Sequence, residues 1–357
     1  MAIDFTYALP VEQTGWAIDG QVETVLRWQY ADGRDALLKL YDKGKQQQWD
    51  AATRIDWSLD LDPDNPMGLP EQAVLIYGSD IWNKLNAKEK IEVRRHSQAQ
   101  TLSQFLHGEQ GALVCAAKIV QQVPDLDSKF YAATQVMDEA RHVEAYSRLL
   151  REKFGMAYPI TPPLKALLDN VISDSRWDFT YLGMQVLIEG LALAAFQRIR
   201  DQSQNQLAAQ LNAYVMQDEA RHVAFGRLAL RDYYPQLSEA ERNEREEFVV
   251  EACYLMRDRF LAHEVWENLG LPADECVAYV NESDAMRQFR GRLFSRIVPT
   301  VKAIGLWGPK VRKAYADMGI LDFADIDAEA QFAQDNKVAQ AFDDGLAPQQ
   351  AAAGGGG

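Results

Sequence analysis

Two copies of one hexapeptide carry the residues best suited to chemistry. Asp-Glu-Ala-Arg-His-Val occupies positions 138–143 and recurs letter for letter at 218–223, an offset of 80 residues. The same offset relates Glu109 to Glu189, so each half reads a glutamate followed thirty residues later by Glu-x-x-His. The candidate groups are therefore Glu109, Glu139 and His142 from one half, and Glu189, Glu219 and His222 from the other. On a helix the i, i+3 spacing places carboxylate and imidazole on one face. Four such helices can aim four carboxylates and two imidazoles at one point, where they can bind two metal ions. A charge of about −4 on that set is cancelled by two divalent ions, and a mixed nitrogen and oxygen donor set suits iron or manganese.

The surroundings of Glu189 separate a buried ligand from a surface charge. Between Tyr181 and Phe196 it is the only charged residue, and a helix apolar on nearly every face is normally interior. An unpaired carboxylate in such a place costs several kcal/mol and needs a cation. A lone Glu-x-x-His is ordinarily a surface pair; two identical copies with matched upstream glutamates are not. His96, His107 and His263 have no partner at ligand spacing and are read as structural.

The helices that must position these groups are legible in the same way. Residues 1–85 are mixed, with one helix near Ala36–Ile55 and Pro/Gly punctuation at 62–70, and are expected to form a cap. From Asn86, which stands three residues before Glu89 like a capping box, apolar residues recur at helical spacing as far as Pro124. A second helix is expected from Asp125–Asp127 to Gly155, followed by a long connection containing PITPP (159–163). A third is expected from about Asp174 to Arg200, a break at 201–205, and a fourth ending before Pro235. At ~1.5 Å per residue, the thirty residues between Glu109 and Glu139 bring both to one level of an antiparallel hairpin, and the second hairpin repeats the construction. Ser238 and Glu241 cap a fifth helix running to about Leu269, with shorter helices after it broken at Pro299 and at Gly308-Pro309. The expected division is a cap (1–85), a dimetal bundle (86–235), further helices packed on it (236–342) and a disordered tail (343–357) ending in the low-complexity AAAGGGG.

Composition narrows the function. The 357 residues are 47% hydrophobic, enough for a large core. The formal net charge of −15, from 37 Lys plus Arg against 52 Asp plus Glu, is the wrong sign for binding nucleic acid. The N-terminal segment lacks a basic region followed by an apolar one, and no unbroken apolar run reaches the ~20 residues that span a bilayer. A cytoplasmic protein without membrane association is expected. Cys115, Cys253 and Cys276 are scattered, which offers neither a disulfide framework nor a thiolate iron site.

The pattern E…ExxH…E…ExxH over about residues 86–235 resembles that of the ferritin-like di-iron carboxylate proteins. Its Asp-Glu-x-Arg-His form is similar to that of the hydroxylase subunits of bacterial multicomponent monooxygenases, of aerobic cyclases of chlorophyll synthesis and of N-oxygenases of amines. The resemblance implies an all-α fold, a ferritin-like four-helix bundle with additional N- and C-terminal helices, two iron ions (or a Mn/Fe pair) and dioxygen as co-substrate. It implies oxygenation or oxidation of a small or partly apolar organic substrate. No flavin or nicotinamide fingerprint is present, so electrons are expected from a separate reductase or ferredoxin. A homodimer is compatible with the sequence.

Several readings stay open at this level. By resemblance, Asp138 accepts a hydrogen bond from His222 and Asp218 from His142; alternatively both aspartates pair with Arg141 and Arg221. Tyr146, one turn beyond His142, stands where small subunits of ribonucleotide reductase carry a radical, or is a packed, hydrogen-bonded core tyrosine. Gly108, Gly111, Ala112, Gly190 and Ala192 either leave room for a substrate bordered by Leu113, Leu193, Phe196 and Phe225, or allow helices to pack closely. The competing functions are a radical-generating subunit and a ferritin-like ferroxidase or iron store. Some 85 residues before the bundle and 120 after it are more than a bare storage bundle needs.

Overall fold

The computed structural model describes residues 6–7, 16–20, 22–26 and 33–345, and the expected low-complexity end of the tail lies outside them. The described chain is almost wholly helical; its one sheet pairs Thr6–Tyr7 with Met156–Ala157 in parallel. Four long helices form the body. The first bundle helix, Ala87–Gln122, opens on the anticipated capping box: Glu89 N–H donates to Asn86 Oδ1 at 3.1 Å and Asn86 N–H donates to Glu89 Oε2 at 2.8 Å. It stops before Pro124, which cannot continue a helix. The second, Leu126–Leu149, is capped by Asp125 and runs into a wider turn, Leu150–Phe154, ended by Gly155 in the left-handed region at φ 70°.

The third, Trp177–Gln202, is long and apolar enough to cross a membrane, but 94% of its most apolar stretch is buried among the other helices. Asn205 caps the fourth, Gln206–Tyr233, which is buried over most of its length. The first and second helices pack along each other, as do the third and fourth, and the two hairpins face across the core.

Four boundaries differ from the expected ones. The helix expected over Ala36–Ile55 is two pieces, Asp35–Gln46 and Ala51–Arg54. At the break Gln47, Gln48 and Trp49 all bond to the second and fourth helices, and Asp50 restarts the helix by capping Ala52 and Thr53. The connection after the second helix holds a further helix, Pro162–Ser173, in whose first turn prolines are tolerated. The helix opened by Ser238 and Glu241 ends at Asp258, not near Leu269, and resumes as His263–Asn268. Pro299 does not break a helix: it sits in the first turn of Ile297–Ala303, where its missing N–H has no intrahelical acceptor to lose.

The flanking segments lie on the bundle. Helix Asp35–Gln46 packs on the second and fourth bundle helices, and the C-terminal helix Ala328–Asp343 packs on the fourth. The latter is tied down by Asp335, buried between Arg200 and Arg296 at 3.0 Å from each.

Candidate metal centre

The two hairpins bring all six residues of the repeat to one place in the middle of the bundle. Glu109, Glu139, His142 and Glu219 form one group with ligand atoms within 4.8 Å of one another, and Glu139, Glu189, Glu219 and His222 form a second. All six side chains are buried. Glu139 and Glu219, from the two hexapeptides, belong to both groups; Glu109 with His142, and Glu189 with His222, complete one each. The pseudo-two-fold symmetry of the sequence thus becomes a symmetry of two adjacent cation positions.

One irregularity sets the third helix. Leu182–Ile188 is a π-helical stretch, and Glu189 is the first residue beyond it. Each extra residue rotates the downstream part of a helix by about 100°, so this widened turn helps decide that Glu189 faces the centre. Nothing in the apolar run Tyr181–Phe196 announces it.

The imidazoles face the carboxylates through Nδ1. His142 Nδ1 lies 3.1 Å from Glu219 Oε1 and 3.2 Å from Glu109 Oε2 and Glu139 Oε2; His222 Nδ1 lies 3.0 Å from Glu139 Oε1. Their Nε2 atoms point outward, and each donates to an aspartate of the opposite hexapeptide: His142 to Asp218 and His222 to Asp138, both at 3.2 Å. The arginine pairing exists as well. Arg141 bonds both Asp138 and Asp218, the latter at 2.9 Å, and Arg221 does the same in mirror image. The two readings of the aspartates are therefore one crossed network. Each aspartate orients an imidazole while the arginines balance its charge.

The cap completes the network with residues that no sequence pattern singles out. Trp49 Nε1 donates to Asp218 Oδ2 at 2.7 Å, and Gln48 donates to Asp138 Oδ1 at 2.7 Å while accepting from Arg141 at 2.7 Å. Within the core, the Gln135 amide donates to Glu139 at 3.0 Å and to Glu189 at 2.9 Å. Gln135 stands one turn before Glu139 on the same face, a spacing that could have drawn attention to it.

The electrostatics call for cations. Burial, then the charge of Glu219, pushes both Glu109 and Glu189 well above the usual carboxylate range. Burial works against protonating His142 and His222, but the surrounding carboxylates outweigh it and hold both far above the ordinary imidazole value. Burial would raise Asp218, yet the Arg221 guanidinium and His142 hold it well below the usual range. Glu189 Oε2 and Glu219 Oε2 are buried without hydrogen-bond partners, and Glu219 Oε1 and His222 Nδ1 have close contacts to the other ligand groups but no well-aligned hydrogen bond. Bare buried acceptors of this kind, with four carboxylates and two imidazoles, fit a pair of divalent ions.

Tyr146 is fully buried, donates to Asn212 Oδ1 at 3.1 Å and packs against Phe105 and Phe196. His96 and His107 bond Tyr158, His263 is half exposed beside Glu267, and none joins the ligand groups. The small residues divide. A Cβ on Gly111 would meet Leu168 Cδ2 at 2.5 Å and one on Gly190 would meet Ile297 Cγ1 at 3.0 Å, so these serve close packing. Gly108, Ala112 and Ala192 instead line a small cavity of about 20 Å³, walled also by Glu109, Glu189 and Glu219. Of the four expected border residues only Phe196 lines it. Phe225 is wedged between Tyr131 and Tyr181, and the remaining wall includes Phe105, Arg259 and Phe260.

Residues 31–305 match the family model described as p-aminobenzoate N-oxygenase AurF. The chain belongs to this family. This AurF-family protein is an oxidoreductase, a non-haem di-iron oxygenase that uses dioxygen on a small organic substrate. No curated protein matches the chain. Among solved structures, it is similar to an R2-like ligand-binding oxidase with aerobically reconstituted metal cofactor after photoconversion (17% identity, 79% of this chain and 100% of the other, TM-score 0.47). It is also similar to a valine-to-isoleucine variant of such an oxidase with anaerobically reconstituted Mn/Fe cofactor (18%, 78% and 95%, TM-score 0.47). The family assignment of this AurF-family chain rests on the family model.

Proposed function

We propose that the protein N-oxygenates a small aromatic amine, with Glu109, Glu139, His142, Glu189, Glu219 and His222 holding the two iron ions. The observation that carries the ligand assignment is the pair of overlapping buried groups sharing Glu139 and Glu219. The amine as the oxidised group rests on the family's description, p-aminobenzoate N-oxygenase.

The chemistry supplied by two bound iron ions is the reduction of dioxygen and delivery of one of its atoms. The overall conversion is R–NH₂ + O₂ + 2e⁻ + 2H⁺ → R–NHOH + H₂O, and the two electrons come from a separate reductase, ferredoxin or chemical donor. The chain's own part is positioning. Asp138 and Asp218 accept the Nε2 protons of His222 and His142, which leaves the Nδ1 lone pairs directed into the centre. Gln135 holds Glu139 and Glu189 through one amide. The apolar side chains of Met184, Ile188, Leu191, Phe105 and Phe196 border the carboxylates and give that side of the centre a surface suited to an apolar group.

The test is a single-turnover reaction of the reduced, iron-loaded protein with p-aminobenzoate under ¹⁸O₂. The expected product carries the label on nitrogen, as the hydroxylamine or a further oxidised form. Label found only on a ring carbon, or turnover independent of any amine with iron accumulating far beyond two per chain, would overturn the proposal.

A further inference from the structure

Beside the small cavity at the metal centre the fold holds a larger one, of about 80 Å³, and the two share Phe105 and Phe260 as walls. Both are built from the same helix faces. On the first bundle helix Glu109, Phe105, Thr101 and Ser97 recur every fourth residue, and on the third Glu189, Ala192, Ala195 and Ile199 follow one another at three and four. At ~1.5 Å per residue, Phe105 stands about 6 Å along its helix from Glu109 and Ser97 about 18 Å. The two stripes therefore lead from the ligands, past the two phenyl rings, to Met67–Leu75 of the cap, which close the far side.

The larger cavity is apolar although polar residues line it, because their polar ends are engaged elsewhere. Gln98 accepts from the Met67 N–H and donates to Asn65, Gln100 donates to Glu264, and Thr101 donates to the Ser97 carbonyl. Arg94 pairs with Glu71, and Arg198 donates to the Ala73 carbonyl and lies over the Phe289 ring, 4.1 Å from its centroid. Of the lining side-chain atoms, Ser97 Oγ and Arg94 Nε alone are buried without a partner, and both lie two turns or more beyond Phe105. An apolar cavity of about 150 Å³ stays dry and takes benzene or xenon. At about 80 Å³ this one suits a smaller apolar guest.

Its two ends differ. At the far end Pro70 is exposed and Leu69 and Phe289 are half-buried, so the cavity approaches the surface there. The near end is shut by Phe105, packed edge-on against Phe196 with centroids 4.6 Å apart, and by Phe260. Phe260 lies in the turn after Glu239–Asp258, two residues before Ala262, which also lines the cavity and is the one described non-glycine residue at positive φ, 52°. The left-handed region is unfavourable for alanine, so the surrounding packing must hold this turn, and with it the ring.

We propose that the larger cavity is a dioxygen site, an antechamber from which dioxygen passes between Phe105 and Phe260 to the metal centre. Dioxygen is small, uncharged and apolar and so moves favourably from water into such a space, whereas a water molecule or an ion finds no partner at the Phe105 end. The site concentrates the gas beside the centre while the two rings keep bulk water from it. The inference rests on the reaction of the centre with dioxygen, and not on which substrate is oxidised.

Xenon, an apolar probe of such cavities, tests the site directly in pressurised crystals of the anaerobic, iron-loaded protein. In the wild type it is expected against Ala195 and Thr101. Ala195→Leu fills the same space and should lose the xenon. With two ions per chain still bound, this variant should also be oxidised several-fold more slowly by limiting dioxygen in stopped flow. If Ala195→Leu does not fold, Ala73→Leu, on the cap side of the cavity, takes its place. A wild type without xenon there overturns the proposal. So does a filled variant oxidised as fast as wild type, because dioxygen then enters by another way. A wild-type di-iron(II) protein that dioxygen does not oxidise would sink the oxygenase reading and this proposal with it. The expected xenon and rate pattern, with no label delivered to the nitrogen of p-aminobenzoate, would sink N-oxygenation alone and leave the antechamber standing.

Discussion

His142 Nε2 lies 3.2 Å from Asp218 Oδ2 on the facing hairpin, and His222 stands in the same relation to Asp138. Each hexapeptide thus orients the imidazole of the other, so the two metal positions are coupled through residues that touch neither ion. Asp218→Asn is expected to fold but to weaken metal binding by about 10–100-fold, the usual cost of losing such a partner. Chelator competition measures this. Affinity equal to wild type would leave the aspartate a charge partner of Arg141 and Arg221 only.

Glu189 belongs to one ligand group, whereas Glu139 and Glu219 belong to both. Glu189→Gln is therefore expected to reduce the metal content from two ions per chain toward one, and Glu139→Ala to lose both. Elemental analysis after anaerobic iron loading distinguishes these cases. Two ions retained in Glu189→Gln would remove that residue from the ligand set.

The metal-free protein should lose stability as pH rises. Glu109 and Glu189 are raised by burial and by Glu219, and the imidazoles are raised because neighbouring carboxylates outweigh their burial. A raised folded value contributes stability that is complete below the unfolded value, 4.5 for glutamate and 6.5 for histidine, and is lost as pH rises through the folded one. Metal displaces those protons, so its binding strengthens over the same range. Thermal unfolding of loaded and metal-free protein between about pH 5.5 and 8.5 should show a gap in Tm that widens with pH. A constant gap would mean that the carboxylates and imidazoles hold no protons for the metal to displace.

Gly108 and Gly111 lie three residues apart on one helix and should respond oppositely to alanine. Gly111→Ala forces its Cβ against Leu168 and is expected to destabilise the protein by about 1–3 kcal/mol. Gly108 has nothing within 4 Å, so Gly108→Ala should be neutral or stabilising by up to about 1 kcal/mol through helix propensity. Its methyl group enters the cavity and should weaken ligand binding. Urea denaturation of the loaded protein together with p-aminobenzoate titration reads both effects. A Gly111→Ala protein as stable as wild type would show that Leu168 yields freely.

Much of the centre was legible in the chain because its information is local or periodic. The i, i+3 spacing, the thirty-residue separations and the offset of 80 arise from helical rise and from duplication, so they point to Glu109, Glu139, His142, Glu189, Glu219 and His222 without any tertiary knowledge. Caps at Asn86, Asp125 and Ser238 were readable for the same reason, since each is satisfied within three residues. Only the tertiary structure decided the rest. The crossed aspartates, Gln48 and Trp49 at the break in the cap, and the π-helical turn before Glu189 all depend on groups brought together from distant parts of the chain. Trp49 and Asp218, for example, are 169 residues apart. Such contacts leave no period in the sequence, because what selects them is the satisfaction of buried charge in three dimensions, and a helix pattern is the same whether its polar side chain meets solvent, a metal or an arginine.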